Sequence, residues 1–177
     1  MAARQDQLGL DVRSASSAVL SPCGQYRYRL DRDVQAAGLV FAYFGVNLST
    51  ADADLDDATV RKWRGFTRLN GGSRFIAGNV FSFRATDVKT LKDCPALQGP
   101  EHDRYINEIV AEADVLVPCW GRTQKLPPEL RHECAAMMEM LLAAGKPVLH
   151  FGTTKDGDPK HPQMLGYDTQ LVPWPST

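Results

Sequence analysis

Two polar segments far apart in the sequence each follow an apolar run, and each carries a side chain that could do chemistry on a ligand. The first begins at Asn47, after the run 38–46, and the second contains His161, after the run 146–151. An amide can position a water molecule or bind the edge of a base, and an imidazole can donate a proton or a hydrogen bond to developing negative charge. Because ligand sites form at the carboxyl ends of strands in a parallel sheet, we expect both side chains to face one substrate.

Both side chains also have a simpler interpretation. Asn47 could cap the turn that follows it, helped by Ser49 and Thr50, which is the commoner role of these residue types after a strand. In a ligand site, Ser49 and Thr50 would instead contribute hydroxyl groups to substrate binding. His161 could equally be an ordinary histidine of a surface loop. The spacing alone leaves these alternatives open.

Four further candidates for substrate binding stand within or just after apolar runs: Asn79, Arg84, Trp120 and Lys155. Asn79 interrupts an apolar segment, so its amide either bonds across the core or faces a pocket. Arg84 could hold a phosphate or a carboxylate, or pair with Asp87. Trp120 could stack on a base or lie in the core. Lys155 would join Arg84 on a phosphate group.

The remaining histidines and the acidic residues are expected to be structural. His102 and His132 fall on predicted helices and are expected to be solvated, whereas His150 lies in a predicted strand and is expected to be a hydrogen-bonded core residue. The acidic stretch 52–57 lacks the glycine and the final glutamate of a calcium loop, and Asp57 is expected to cap a helix. The sequence predicts no metal site and no cofactor.

Hydrophobic patterning defines the elements that must position these residues. Four continuous apolar runs predict buried strands: 38–46, 75–83, 114–119 and 146–151. Three segments of helical periodicity follow the residues that would start helices: Asp57, Pro100 and Pro127. Residues 26–30 alternate like an edge strand or a hairpin arm. This alternation of strands and helices predicts an α/β protein with three α/β/α layers around a mainly parallel central sheet, with a flexible segment 1–17 and one domain over 18–177.

Composition excludes some function classes. The chain has 177 residues, with 20 basic and 21 acidic side chains, so no global charge drives it to nucleic acid or to a membrane surface. No apolar run approaches the length of a membrane span, and no signal peptide is recognised, so a cytoplasmic protein is expected. The four cysteines lack zinc-site spacing and are expected to be reduced and mostly buried: Cys23, Cys94, Cys119 and Cys134.

The motifs resemble an uncharacterised bacterial and phage protein family. That family's pattern combines Cys-Gly-x-Tyr-Arg-Tyr, Asn-Pro-Ser-Thr-Ala-Asp, a following Asp-Pro-Thr, Asn-Leu-Phe-x-x-Arg-Ala-Thr, Trp-Gly and Lys-Asp-Gly-x-Pro-x-His-Pro. The chain shows the corresponding residues at 23–28, 47–52, 57–59, 79–86, 120–121 and 155–162. The resemblance extends from about residue 18 to residue 174. Leu48 and Ala58 replace two prolines of the pattern.

The order of these segments is also similar to the uracil-DNA glycosylase superfamily. The segments 45–47, 79–80, 120–121 and 161–162 follow that superfamily's motif order. The resemblance implies a uracil-DNA-glycosylase-like fold in which Asn47 orients the attacking water and His161 stabilises the departing base, with Asn79 a weaker candidate for base reading. Gln163 replaces the serine of the His-Pro-Ser motif, and no clear aromatic residue follows the first motif.

The expected function is therefore hydrolysis of the N-glycosidic bond of a base. The expected substrate is a modified base in DNA or in a nucleotide rather than uracil. Cleavage of that bond needs a placed water and a stabilised leaving group more than a strong nucleophile. Two alternatives remain: a non-catalytic module that binds nucleotides or nucleic acid, and a nucleotide-processing enzyme of other chemistry with Arg84 and Lys155 on phosphates. DNA or a nucleotide is the expected partner, no membrane partner is expected, and the sequence does not predict an oligomeric state.

Overall fold

The computed structural model describes residues 16–46, 57–85, 91, 93–94 and 96–175. The strands are β1 (Ser16–Leu20), β2 (Arg27–Asp33), β3 (Leu39–Gly45), β4 (Gly72–Asn79), β5 (Val115–Pro118), β6 (Leu149–His150) and β7 (Val172–Pro173). The α-helices are α1 (Ala58–Leu69), α2 (His102–Glu112) and α3 (Arg131–Ala143). Short 3₁₀ turns occur at Thr123–Lys125, Pro128–Leu130 and Pro162–Met164.

Five strands form a mixed sheet in the order β1-β2-β4-β3-β5. Strand β4 lies at its centre. Strand β3 lies next to it and pairs in parallel with β4 and β5, while β2 runs antiparallel to β4 and to β1. Beyond β5, a parallel bridge joins Leu116 to Val148, and β6 then pairs with β7 in the antiparallel direction. The predicted α/β class and central sheet are confirmed, and the sheet is parallel in its middle and antiparallel at the β1–β2 end.

Helices cover both faces of the sheet because its strands alternate their apolar side chains. On one face, Phe41 and Tyr43 of β3 are buried with Trp63 of α1. On the other face, Phe44 of β3 is buried with Ile109 of α2, in a cluster that also includes the inward side chains of α3. Successive residues of a strand point to opposite faces, so a single apolar strand supplies both clusters. The result is three layers, with α1 on one side and α2 and α3 on the other.

The start and end of α1 follow the sequence signals. A carboxylate oxygen of Asp57 accepts the backbone N–H of Val60 at 2.9 Å, so the predicted cap is confirmed. The helix ends at Leu69, and Gly71 then takes a positive φ of 73°, a conformation that other residues adopt only with strain.

Several predicted strands differ from the observed ones. Strand β2 lies inside the sheet rather than at its edge, although it is the second arm of a hairpin with β1. Strand β4 starts three residues earlier than predicted and ends at Asn79. The predicted strand 146–151 is reduced to β6, because Pro147 has no N–H to donate and Gly152 turns the chain at a φ of 90°. Strand β1 begins at Ser16, before the predicted domain boundary.

The burial of the cysteines agrees only in part with the expectation from composition. All four cysteines are free; Cys119 and Cys134 are buried, Cys94 is half-buried and Cys23 is exposed, so only two match the expected burial. Across the described ranges, no helix is both long and apolar enough to cross a membrane. Within the same ranges, no group of three or more potential metal ligands comes together.

Candidate functional site

The carboxyl ends of β3 and β5 mark the point where the chain changes direction across the sheet. From β3 the chain crosses over α1 to β4 on one side, whereas β5 lies on the other side of β3 and leads over α3 on the opposite face. In open α/β sheets, the crevice outside the strand ends at such a switch point is where ligands bind. The segments that leave the sheet there begin at Val46 and at Cys119.

His161 lies against the end of β5 at this switch point. A Cβ placed on Gly121 would lie 3.1 Å from the Cβ of His161, so the close approach requires a glycine. Gly121 also has a φ of 78°, and its N–H donates to the carbonyl oxygen of Pro159 at 2.9 Å. The backbone thus holds the loop of His161 against Gly121, three residues beyond the end of β5.

The same loop is also fastened to α1. The ammonium group of Lys62 donates to the carbonyl oxygen of Leu165 at 2.6 Å and lies over the ring of Tyr167, 4.4 Å from its centroid. The hydroxyl of Tyr167 donates to the carbonyl oxygen of Arg61 at 3.3 Å. His161 is therefore placed between the end of β5 and the helix that follows β3, on the α1 side of the sheet.

The hydrogen bonding of His161 assigns its tautomer. Nδ1 of His161 accepts the backbone N–H of Gln163 at 3.3 Å, so the neutral ring carries its proton on Nε2. Burial lowers the pKa of His161 below its ordinary value, the positive charge of Lys125 lowers the pKa further, and Asp57 acts in the opposite direction. At neutral pH the residue is a neutral imidazole that can donate one hydrogen bond. Sequence reasoning missed Lys125, although a basic residue in the turn after a strand end was a usable signal.

Asn79 ends β4 on the same side of the sheet. It is 5% exposed, and among the described residues its Oδ1 has no hydrogen-bond partner. That oxygen lies 3.1 Å from the position of a Cβ on Gly45, and ring atoms of Trp63 lie 3.8 Å from the same point. The amide therefore faces the α1 layer at the end of β3. A buried unpaired polar group costs about 1–3 kcal/mol, which makes this oxygen a candidate ligand contact.

The other predicted site residues lie elsewhere or outside the described chain. Asn47, Ser49 and Thr50 fall outside the described residues, as does Asp87, so their predicted roles stay predictions. Arg84 follows β4 and packs against the turn between β1 and β2, where its Nη1 donates to the carbonyl oxygen of Gly24 at 3.3 Å.

Trp120 and Lys155 lie apart from the face that Asn79 and His161 share. Trp120 is 6% exposed and belongs to the core on the α3 side of the sheet. Lys155 is exposed in the loop that precedes the His161 loop. Asn79 and His161 thus both lie on the α1 side of the sheet. Arg84 lies beyond the end of β4, next to the β1–β2 turn, whereas Lys155 lies beyond β6.

The three remaining histidines test the expectation that they are structural. His132 is exposed, as predicted. The prediction that His102 is solvated is wrong, because its side chain is buried at the start of α2. His150 is buried as predicted, with its ring 4.8 Å from that of Trp174, but its Nδ1 has no partner within the described part of the chain.

Comparison with known proteins gives one result. A protein-family model described as "Protein of unknown function (DUF1643)" matches residues 27–163. No curated protein and no solved structure matches the chain significantly. The family match covers more than half of the sequence and contains β2 to β5, all three helices and His161. The expectation of an uncharacterised family is confirmed at that level, and the chain belongs to the DUF1643 family of proteins of unknown function.

Proposed function

We propose that this protein hydrolyses the N-glycosidic bond of a base, in DNA or in a nucleotide, and that a modified base is its substrate. The observation that carries the proposal is the neutral His161 at the switch point, with Nδ1 held by the backbone N–H of Gln163 and a proton on Nε2. A neutral imidazole in such a position can donate a hydrogen bond to a leaving group without a prior protonation step.

The chemistry is a substitution at the anomeric carbon. The oxygen of a water molecule bonds to C1′ of the sugar while the bond between C1′ and the base nitrogen breaks, and the electron pair of that bond leaves with the base. Nε2–H of His161 stabilises the negative charge that develops on the base. The proton lost by water completes the neutral base. By the resemblance to uracil-DNA glycosylases, Asn47 would orient the water.

Asn79 and the architecture add to this proposal. The unpartnered Oδ1 of Asn79 lies on the side of the sheet that carries His161, where it can accept a hydrogen bond from a base. A sheet that is parallel through β4, β3 and β5, with helices on both faces, agrees with the uracil-DNA-glycosylase-like fold that the sequence resemblance implies. Free cysteines agree with a reducing compartment, and a cytoplasmic location is part of the proposal.

A second candidate function is a non-catalytic nucleic-acid-binding module. Four basic residues are exposed on the two loops that meet beside His161: Arg122, Lys125, Lys155 and Lys160. Such a patch can bind phosphates without reading sequence. A nucleotide-processing enzyme that uses Arg84 and Lys155 on one phosphate group is less well supported. The guanidinium group of Arg84 is already bonded to the β1–β2 turn, through the carbonyl oxygen of Gly24.

A base-release assay tests the proposal. The protein would be incubated with single- and double-stranded DNA and with nucleotides carrying uracil or bulky modified pyrimidines, and free base would be measured. We expect Asn47→Ala and His161→Ala to lose release, the latter by about 100- to 1,000-fold, as for the removal of a donor to a developing anion. His132→Ala, which changes an exposed histidine, is the matched control and should release base like the unchanged protein. Binding of DNA without release from any substrate would favour the binding module.

A further inference from the structure

We propose that Asp158 is a positioning residue that fixes the place and orientation of the His161 imidazole; this inference rests on the proposed function of the site. Asp158 touches neither His161 nor the crevice in the contacts described. It acts by joining the loop that carries His161 to the turn that follows β5.

The contact between the two loops is a pair of hydrogen bonds to one atom. Oδ2 of Asp158 accepts the backbone N–H of Thr123 at 3.0 Å and the hydroxyl of Thr123 at 3.2 Å. Thr123 is the first residue of the turn Thr123–Lys125, two residues after Gly121. Asp158 therefore fixes the segment against which His161 packs.

Only two residues separate Asp158 from His161, and both are held. Pro159 forms an antiparallel bridge with Thr153, and its carbonyl oxygen accepts the N–H of Gly121. The N–H of Lys160 donates to the carbonyl oxygen of Gly152 at 3.0 Å. The fixed φ of proline further limits this short segment. A displacement of Asp158 should therefore also displace His161, because the two residues between them are held by hydrogen bonds and have little conformational freedom.

Asp158 acts on His161 through position rather than through its charge. The charged groups that shift the pKa of His161 are Lys125, from the turn after β5, and Asp57, from the start of α1. The carboxylate of Asp158 is turned toward Thr123 and α3 instead, where its charge acts on Cys134. Replacement of the carboxylate by an amide keeps an oxygen that can accept both bonds from Thr123. Position and charge can therefore be separated by substitution.

Loss of the contact between Asp158 and Thr123 should allow the loop that carries His161 to move away from the segment after β5. His161 would become more exposed and move away from Lys125, so its pKa should rise toward the ordinary value of an exposed histidine. A misplacement of about 1 Å can cost on the order of 100-fold in rate. We expect a loss of that size in base release for Asp158→Ala.

The experiment combines nuclear magnetic resonance of the His161 ring with the base-release assay. The pH titration and the nitrogen shifts of the imidazole would be followed in the full chain for Asp158→Ala, Asp158→Asn and Thr123→Val. Asp156→Ala is the matched control, because Asp156 lies in the same loop but its carboxylate pairs with the exposed side chain of Arg122, at 3.3 Å, instead of with Thr123. We expect a raised pKa and a loss of release in Asp158→Ala, near-normal behaviour in Asp158→Asn and in Asp156→Ala, and an intermediate result in Thr123→Val.

An unchanged His161 titration and unchanged release in folded Asp158→Ala would overturn the inference, and so would a pKa change in Asp158→Asn as large as that in Asp158→Ala. If Asp158→Ala does not fold, Thr123→Val decides, since that change removes one of the two bonds and leaves the carboxylate. The ring titration needs no substrate. Absence of base release from the unchanged protein would therefore reject the proposed function while the titration still decided the role of Asp158.

Discussion

The hydroxyl oxygen of Ser82 lies 2.6 Å from Nδ1 of His102, and both side chains are buried beside the start of α2. Burial lowers the pKa of His102 below its ordinary value, and the nearby charges of Asp103 and Glu133 only partly oppose the effect. His102 is therefore a neutral side chain in the folded protein. The imidazole of His102 therefore binds a proton less readily in the folded chain than in the unfolded chain.

This difference predicts that acid destabilises the fold. Between the folded pKa of His102 and the ordinary histidine value near 6.5, the unfolded state binds a proton that the folded state does not, so stability falls as the pH is lowered through that window. The loss is at most about 1.4 kcal/mol per pH unit for one histidine. Urea unfolding at pH 7.5 and 5.5 would measure it. His102→Asn should weaken the dependence without abolishing it, because burial also lowers the pKa of His161. His132→Asn, at an exposed site, should leave the dependence unchanged.

Asn79→Leu is expected to separate stability from function. The substitution keeps the branched shape and the number of side-chain heavy atoms, and it removes a buried oxygen that has no partner among the described residues. The free energy of unfolding should therefore rise, by about 1 kcal/mol, while base binding weakens. Denaturant unfolding and ligand titration measure the two effects. Asn107→Leu, at an exposed asparagine of α2, should show no such gain. A fall in stability for Asn79→Leu would mean that the amide is hydrogen-bonded in the folded protein.

Gly121→Ala is expected to damage the site beyond its effect on the backbone. Gly121 and Gly145 both have a positive φ, 78° and 69°, so alanine costs about 1–2 kcal/mol at either position. Nothing lies within 4 Å of a Cβ on Gly145, whereas a Cβ on Gly121 meets His161 at 3.1 Å. Both variants should lose similar stability in thermal unfolding, but only Gly121→Ala should lose base release. Equal activity in the two variants would contradict this.

Glu112→Ala is expected to destabilise the β2 end of the sheet. Glu112 pairs with Arg29 at 2.6 Å and with Arg74, and both arginines also pair with Asp31. Since the side chain of Arg29 is only 8% exposed, removal of one carboxylate leaves a nearly buried charge underpaired, at a cost of about 2–3 kcal/mol. Glu108→Ala on the same helix removes an exposed pair with Arg104 and should cost under about 0.5 kcal/mol. Chemical denaturation of both variants provides the comparison.

Local sequence patterns predicted which segments form helices and strands better than they predicted side-chain burial and strand pairing. The apolar run of β3 and the cap of α1 were readable because they depend on neighbours in the chain. His102 shows a signal that was present but not used: it stands four and seven residues before Ile106 and Ile109, and so lies on the same buried face of α2. The shortening of β6 depends on Pro147 and on pairing with β7, a strand that no pattern predicted.

Two of the predicted site residues, Asn79 and His161, lie on one side of the sheet, but their connections were not predicted. Asn79 was named because it interrupts an apolar run, and His161 because it lies in a polar loop after one. Their placement on the α1 side depends on strand order and on the packing of the loop against α1, neither of which a local pattern contains. Lys125 and Asp158 were missed for the same reason, since each matters only through a loop that is distant in sequence.

The fastening of the His161 loop to α1 and to the end of β5 has a consequence for the order of folding. These contacts join α1 and the segment that leaves β5 to a loop far along the chain, and contacts between such distant segments form slowly because closing the chain between them costs entropy. The sheet can pair before this loop docks. Opening of the loop needs only a few hydrogen bonds to break, whereas opening of the sheet exposes the core. The candidate site around His161 should thus form in the last step of folding. It should also be the first part to open, while the core stays folded.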